Sequence, residues 1–290
     1  MILLTAISSA GPRLAVKTDS GISVLEHSPA RTPDLPNTVS EALLTSGGFE
    51  RVRGFVRDNA AALRKLAVAE TEVQLGPLFT PRNVICIGLN YKDHAAEGGV
   101  ALPEKPVVFA KLNGCMIGPN APIVLPPETQ QVDYEAELAV VIGRRCKGAS
   151  KEDALNYVAG YTCLNDVSAR DFQFGDNQWV RSKSQDTFGP MGPYLVTSDD
   201  IADPQTLPIR CLVNGRVLQD SNTSKMIFGV RELISFLSQG ITLEPGDVIS
   251  TGTPHGVGFA RKPPIFLKAG DQVVVEIDGV GRLSNRVVAA

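Results

Sequence analysis

In Asp133-Tyr134-Glu135-Ala136-Glu137-Leu138-Ala139-Val140-Val141-Ile142-Gly143, two closely spaced acids lead directly into an apolar strand. This stretch is the most informative one about the fold. Alternate side chains of a strand share a face, so Glu135 and Glu137 point the same way. Two half-buried anions this close repel each other unless a cation compensates them. Carboxylate oxygens suit magnesium, manganese or calcium better than zinc or copper. Taken alone, the pair could equally belong to the solvated face of an edge strand.

The composition is that of an ordinary globular protein, with 290 residues, 43% of them hydrophobic and 20% charged. The formal net charge is −3 and no basic block occurs, so we expect no nucleic-acid partner. No apolar run reaches the roughly 18 residues of a membrane-spanning helix, so no membrane is expected either. The five cysteines are scattered and form no CxxC pair, which favours a reducing compartment, the cytoplasm.

The chain divides into a small N-terminal α+β domain, residues 1–75, and a larger domain, residues 76–290. The hairpin pattern of the first part predicts strands over 3–7, 13–17 and 22–25. An Ala-rich segment predicts a helix over 56–68. A Leu-Gly-Pro-Leu linker follows this part.

From residue 82 onward, short strands separated by Gly and Pro predict a β-rich core, a barrel or sheet sandwich rather than a doubly wound fold. The predicted strands cover 84–89, 107–111, 137–142, 159–165, 209–213, 248–251 and 272–277. Asn214-Gly215 and Asp278-Gly279 predict two-residue hairpin turns. We expect two helices in this part, one after Ser150 and one over 230–237.

Two further segments carry candidate chemistry. Asp166 follows an apolar strand and could supply a third oxygen ligand, although Asp also favours a helix N-cap. His94 and Glu97 are i,i+3 neighbours on a helical turn, so the carboxylate could hold the imidazole as a general base. Gly98-Gly99 would let this segment move as a lid. An exposed ion pair without a catalytic role is the alternative for His94 and Glu97.

Together these segments resemble the fumarylacetoacetate hydrolase family over residues 82–288. The motifs, in family order, are His-x-x-Glu, Asp-Tyr-Glu-x-Glu-Leu, Asn-Asp-Val-Ser-Ala-Arg-Asp, Gly-Pro-Met-Gly-Pro and Pro-Gly-Asp-Val-Ile-x-Thr-Gly-Thr-Pro. The additional aspartate of the larger eukaryotic branch is missing from residues 86–89. The resemblance is therefore to the short bacterial-type branch, which includes acylpyruvases, oxaloacetate decarboxylases, diketo-acid hydrolases and hydroxymuconate isomerases.

The resemblance implies a mostly β (α+β) fold of rolled mixed sheets with few helices, usually assembled as a homodimer. It implies Mg²⁺ or Mn²⁺, with Ca²⁺ as a further option, held by Glu135, Glu137 and Asp166. By the same resemblance the catalytic residues are His94, Glu97 and Lys183. The residues that contact the substrate are then Gln173, Thr253, Lys111 and Arg170.

We expect a metal-dependent hydrolase that cleaves a carbon–carbon bond of a 2,4-dioxo acid, such as an acylpyruvate or fumarylpyruvate, giving pyruvate and a carboxylic acid. His94 would activate the attacking water, while Lys183 and Thr253 would stabilise the enolate. The alternative is an oxaloacetate decarboxylase or a 2-hydroxymuconate-type isomerase or tautomerase, because these reactions use the same metal-stabilised enolate.

Two hypotheses from other classes fit the sequence less well. A metal-binding protein without turnover would need only the three acids, and not His94, Glu97 and Lys183. A non-haem iron oxygenase would need two histidines and a carboxylate around one iron. The chain has three histidines, and of these His27 lies in the N-terminal part and His255 in a Gly/Pro loop, where we expect a rim residue.

Overall fold

The computed structural model describes residues 1–290, and its N-terminal part consists of three strands followed by three helices. The elements are β1 (Ile2–Ser8), β2 (Gly11–Thr18), β3 (Gly21–Val24), α1 (Val39–Leu44), α2 (Gly48–Asp58) and α3 (Ala60–Leu66). All three predicted strands are present. The predicted helix over 56–68 is wrong in its bounds, because the chain forms two helices that meet at Asn59, whose side-chain amide caps the carbonyl of Phe55.

The remaining chain consists mainly of strands, interrupted by four helices. In chain order the elements are β4 (Val84–Gly88), α4 (Lys92–Glu97), β5 (Val107–Lys111), β6 (Met116–Ile117), β7 (Ile123–Leu125), β8 (Val132–Asp133), β9 (Ala136–Ile142), β10 (Val158–Asn165), β11 (Ser168–Ala169), α5 (Arg170–Asp176), α6 (Val180–Lys183), β12 (Gly189–Thr197), β13 (Pro208–Val213), β14 (Arg216–Asn222), α7 (Val230–Gly240), β15 (Val248–Ser250), β16 (Gln272–Ile277) and β17 (Gly281–Ala289). No helix of the protein is long and apolar enough to cross a membrane.

Ten strands form one mixed sheet in the order β3-β2-β1-β12-β10-β9-β15-β4-β5, with β6 paired to β12. Five more form a second sheet in the order β14-β13-β16-β17-β7, and β8 pairs with β11. Strands β13, β16 and β17 pack against β9, β10 and β12, so the two sheets lie face to face. The predicted fold class, mostly β with mixed sheets, is confirmed.

The central strand β9 is buried along its whole length. Leu138, Val140 and Ile142 belong to the larger core between the sheets, whereas Ala139 and Val141 belong to a second core shared with the N-terminal helices. This division follows from the two-residue period of a strand. The apolar run that follows the two glutamates is therefore buried on both faces.

The N-terminal strands extend the main sheet, since β1 pairs with β12 through Ile2 and Leu3. The division into domains at residue 75 stays a prediction. What the pairing adds is that both parts of the chain contribute to one hydrogen-bonded sheet. The main sheet therefore runs from the N-terminal hairpin to the strands beside the candidate site.

The seven strands predicted after residue 82 are all present, with ends that differ by at most one residue. Asn214-Gly215 forms the predicted two-residue turn, with positive φ at both residues. The turn at Asp278-Gly279 has three residues, because Ile277 pairs with Gly281. The helix predicted after Ser150 is wrong: Ser150 caps the N–H of Asp153, but only a short 3-10 turn, Ala154–Tyr157, follows before β10 begins.

Candidate active site

Three carboxylates converge where β9 and β10 lie side by side. Glu135 directly precedes β9, Glu137 lies within it, and Asp166 directly follows β10. The register pairs Glu137 with Leu164, and the N–H of Asp166 donates to the carbonyl of Glu135 at 2.9 Å. One oxygen from each carboxylate lies within 4.8 Å of the others, and all three residues are buried. Asp166 is not a helix N-cap, because α5 is preceded by Ala169.

Buried cations compensate two of these acids. Lys183 Nζ lies 2.7 Å from Glu135 and 2.8 Å from Asp166. Lys111 Nζ lies 2.6 Å from Asp166, and Arg170 contacts Glu135 at 2.6 Å. Burial alone would raise the pKa of Glu135, but the charges of Lys183 and Arg170 outweigh it and lower the pKa to about 2. Glu135 is therefore anionic at neutral pH.

Glu137 is the exception, because it has no ion-pair partner. Its carboxylate accepts hydrogen bonds from the Ser250 hydroxyl and, at 2.9 Å, from the N–H of Gly252. Burial, followed by the charges of Asp166 and Glu135, raises the pKa of Glu137 well above its usual 4.5. Gly252 has a φ of +98°, and a Cβ there would lie 2.7 Å from the Cβ of Asn90, so the position requires glycine.

The donor set fits a hard divalent cation. Three buried carboxylates offer the oxygen ligands that Mg²⁺, Mn²⁺ and Ca²⁺ prefer. A cation among these oxygens would compensate the charge of Glu137, which forms no ion pair with a neighbouring side chain. The cluster can therefore hold a divalent metal.

His94 and Glu97 lie on the short helix α4, beside this cluster. His94 Nδ1 lies 3.5 Å from a carboxylate oxygen of Glu97, and the N–H of Gly256 donates to both Glu97 oxygens at 3.0 Å. Burial raises the pKa of Glu97, but the nearby imidazole of His94 and the hydrogen bond from Gly256 outweigh it and lower the pKa below its usual value. An anionic Glu97 can hold the imidazole through Nδ1, which leaves Nε2 for another partner.

One cavity of about 310 Å³ brings both groups together. His94, Glu135 and Glu137 line it. Four of the other predicted site residues also line the cavity, namely Lys183, Arg170, Gln173 and Thr253. Lys111 does not line it, and holds Asp166 from within the protein instead.

The predicted substrate contacts are held in place by neighbours. Gln173 accepts a hydrogen bond from Arg170 at 2.8 Å, three residues earlier on α5. The Thr253 hydroxyl donates to the carbonyl of Ala136 at 3.0 Å and accepts from Gln219 at 2.8 Å. These side chains therefore face the cavity in fixed orientations.

Asp133 was not among the predicted site residues. Asp133 accepts hydrogen bonds from Arg170 at 2.9 Å and from the N–H groups of Gly258 and Phe259 at 2.7 and 3.0 Å. Its position in the sequence could have identified it, because Asp133, Glu135 and Glu137 follow one another at every second residue. The aromatic wall of the cavity comes from several elements and consists of Phe109, Phe174, Trp179 and Phe259.

Comparisons with known proteins agree on one family. The family model described as fumarylacetoacetate (FAA) hydrolase C-terminal matches residues 83–288. Mitochondrial oxaloacetate tautomerase FAHD2A of Bos taurus is 48% identical over 282 residues, which cover 96% of this chain and 88% of that protein. Fumarylacetoacetate hydrolase from Exiguobacterium antarcticum is 36% identical with a TM-score of 0.83, and 100% of both chains is covered. A third similar protein is 5-carboxymethyl-2-hydroxymuconate delta-isomerase from Mycobacterium smegmatis. It is 36% identical with a TM-score of 0.77, and 100% of this chain and 99% of that chain are covered.

Proposed function

Because the chain belongs to the fumarylacetoacetate hydrolase family and is an enzyme, we propose that it interconverts the keto and enol forms of oxaloacetate or a closely similar 2-oxo acid. This is the alternative named above, and it is favoured over carbon–carbon hydrolysis because the bovine relative, similar over 96% of the chain, is named for that reaction. The observation that carries the proposal is that His94 lines the same cavity as Glu135 and Glu137.

The proposed metal ligands are Glu135, Glu137 and Asp166, and Mg²⁺ or Mn²⁺ is the proposed ion, with Ca²⁺ as a further option. Bound there, the ion would act as a Lewis acid that stabilises the negative charge of an enolate. The buried ammonium of Lys183 would add a second positive charge on the same side of the cavity. Burial lowers the pKa of Lys183, but the charges of Asp166 and Glu135 outweigh burial and raise the pKa to about 12.

His94 is the proposed base. Its Nδ1 faces Glu97, so Nε2 would take the proton from C3 of the keto form and return it to the enolate oxygen. Glu97 would hold the ring and stabilise its protonated form. Gln173, Thr253 and Arg170 would orient the carboxylate and oxo groups of the substrate, and Lys111 would hold Asp166 in place.

Hydrolysis of an acylpyruvate is the second candidate, and a separate observation favours it. The cavity is larger than oxaloacetate requires, and its wall beyond the charged groups is aromatic. An apolar acyl group could pack there, and His94 would then deprotonate a water instead of the substrate. Decarboxylation and muconate isomerisation would use the same enolate chemistry.

The decisive experiment follows the ultraviolet absorbance of enol-oxaloacetate with purified protein and Mg²⁺ or Mn²⁺, against the metal alone. We expect the protein to accelerate enol decay with no pyruvate released. Acylpyruvates are assayed in parallel in water labelled with oxygen-18. No acceleration of tautomerisation, together with label in a product carboxylate, would overturn the first candidate in favour of hydrolysis.

The small-molecule substrate is the partner that the cavity supports, and a homodimer is our proposal for the assembly. All five cysteines are buried free thiols, in keeping with a reducing compartment. We propose the cytoplasm, whereas the bovine relative is named as mitochondrial.

A further inference from the structure

Helix α4 is too short to be stable without contacts to the rest of the protein. It has six residues, far fewer than the roughly 12–15 at which an isolated helix becomes even marginally stable. No side chain caps its N-terminus, and Gly98 and Gly99 follow its C-terminus. The orientation of His94, in the middle of this helix, therefore depends on tertiary contacts.

The pairing of two acids on α4 is unfavourable within the helix itself. Asp93 and Glu97 are i,i+4 neighbours, and like charges at this spacing repel each other. Glu97 also lies at the C-terminal end, where the helix dipole disfavours a negative charge. The partners that compensate this arrangement must lie outside α4.

Two of those partners are consecutive residues of one loop. His255 Nδ1 lies 3.0 Å from Asp93 Oδ2, and the N–H of Gly256 donates to Glu97. The Asp93 carboxylate also contacts Ser221 Oγ at 2.8 Å and Lys225 Nζ at 3.3 Å. One face of α4 is thus held at two points, while His94, the residue after Asp93, lines the cavity.

The loop itself is fixed to the core. The Tyr134 hydroxyl donates to the carbonyl of Gly256 at 3.0 Å, and the N–H of Gly258 donates to Asp133. Gly256 has a φ of +93°, and a Cβ there would lie 2.2 Å from the carbonyl oxygen of Leu218. The loop can therefore act as a rigid support for the helix.

We propose that Asp93 and His255 form a latch that holds α4 against this loop and so positions His94 for proton transfer. The role in turnover rests on the proposed function of His94, whereas the latch itself is a property of the fold. Asp93 and His255 are then positioning residues. Neither lines the 310 Å³ cavity, so they act through the helix and not on the substrate.

Three variants test the latch. His255→Ala removes the hydrogen bond, His255→Asn keeps a nitrogen donor at the position of Nδ1, and His27→Ala is a matched control because His27 is exposed in the N-terminal part. We expect His255→Ala to lower kcat about tenfold, the loss expected for one charge-assisted hydrogen bond. KM and metal affinity stay unchanged. His255→Asn restores most of kcat, and His27→Ala resembles the wild type.

Hydrogen exchange followed by mass spectrometry gives a readout that needs no activity. We expect His255→Ala to speed exchange in α4, with no change in β9 and β10. Unchanged exchange in α4 overturns the latch, whatever the substrate proves to be. Faster exchange without a loss of kcat, or equal losses in His255→Ala and His255→Asn, overturns the positioning role. If the wild type shows no tautomerisation, the proposed function fails while the exchange result still decides the latch.

Discussion

The two halves of the candidate site rest on very different supports. The acids lie at the ends of β9 and β10, two fully buried neighbouring strands near the middle of a ten-stranded sheet. His94 and Glu97 lie on a six-residue helix that a loop holds in place. A sheet ladder fixes the spacing of the proposed metal ligands, whereas the positions of His94 and Glu97 depend on the contacts between α4 and that loop.

Within the acid cluster a second contrast appears. Glu135 is compensated by Lys183 and Arg170, whereas Glu137 has only neutral hydrogen-bond donors. The same substitution should therefore have opposite effects on stability at these two positions. The predictions below test both contrasts.

Glu135→Gln should have the largest effect. It removes a proposed metal ligand and leaves Lys183 and Arg170 without part of their buried counter-charge, which destabilises by about 3–5 kcal/mol. We expect calorimetry to detect no Mg²⁺ or Mn²⁺ binding, and urea unfolding to show the lower stability. Retained metal affinity would remove Glu135 from the ligand set.

His94→Ala should lower turnover by about 10² to 10⁴, the usual contribution of a general base. Metal affinity should remain that of the wild type, because none of the proposed metal ligands lies on α4. The measurement pairs steady-state kinetics with calorimetry on the same preparation. A parallel loss of metal binding would show that the two halves are not separate.

Glu137→Gln should abolish metal binding and yet stabilise the metal-free protein, by about 1–2 kcal/mol. Because the folded-state pKa of Glu137 is raised above 4.5, its contribution to folding is present below about pH 4.5 and is lost as pH rises through that pKa. Glutamine carries no charge at any pH. The variant's advantage in thermal unfolding should therefore grow with pH, and an advantage independent of pH would contradict this reading.

The smallest expected effect is a proton released on metal binding. Burial raises the pKa of Glu137, and a cation bound beside its carboxylate would lower that pKa, so metal binding should release a proton. Calorimetry in buffers of different ionisation enthalpy should reveal that release, and metal affinity should rise with pH. Binding heats that do not depend on the buffer would show that Glu137 is already ionised.

Local patterns in the sequence predicted many of the strands and the close placement of Glu135 and Glu137. Gly and Pro punctuation and two-residue alternation are local signals, so seven of the fourteen strands after residue 82 were predicted almost to the residue. The strand 189–197 was missed because Gly and Pro interrupt it, and α5 and α6 were missed because neither has a clear apolar period. The resemblance to one family supplied the expected roles of the acids, His94 and Lys183.

The distribution of charge around the site became visible in the tertiary structure alone. It showed that Glu137 lacks a cation, that Lys111 holds Asp166 from within the protein, and that Asp93 meets His255 across 162 positions of the chain. Ion pairs between distant segments leave no periodic trace, because they depend on the register of β9 with β10 and on the path of the loop after β15. Local pattern fixes which residues face inward, but only packing fixes which of them meet.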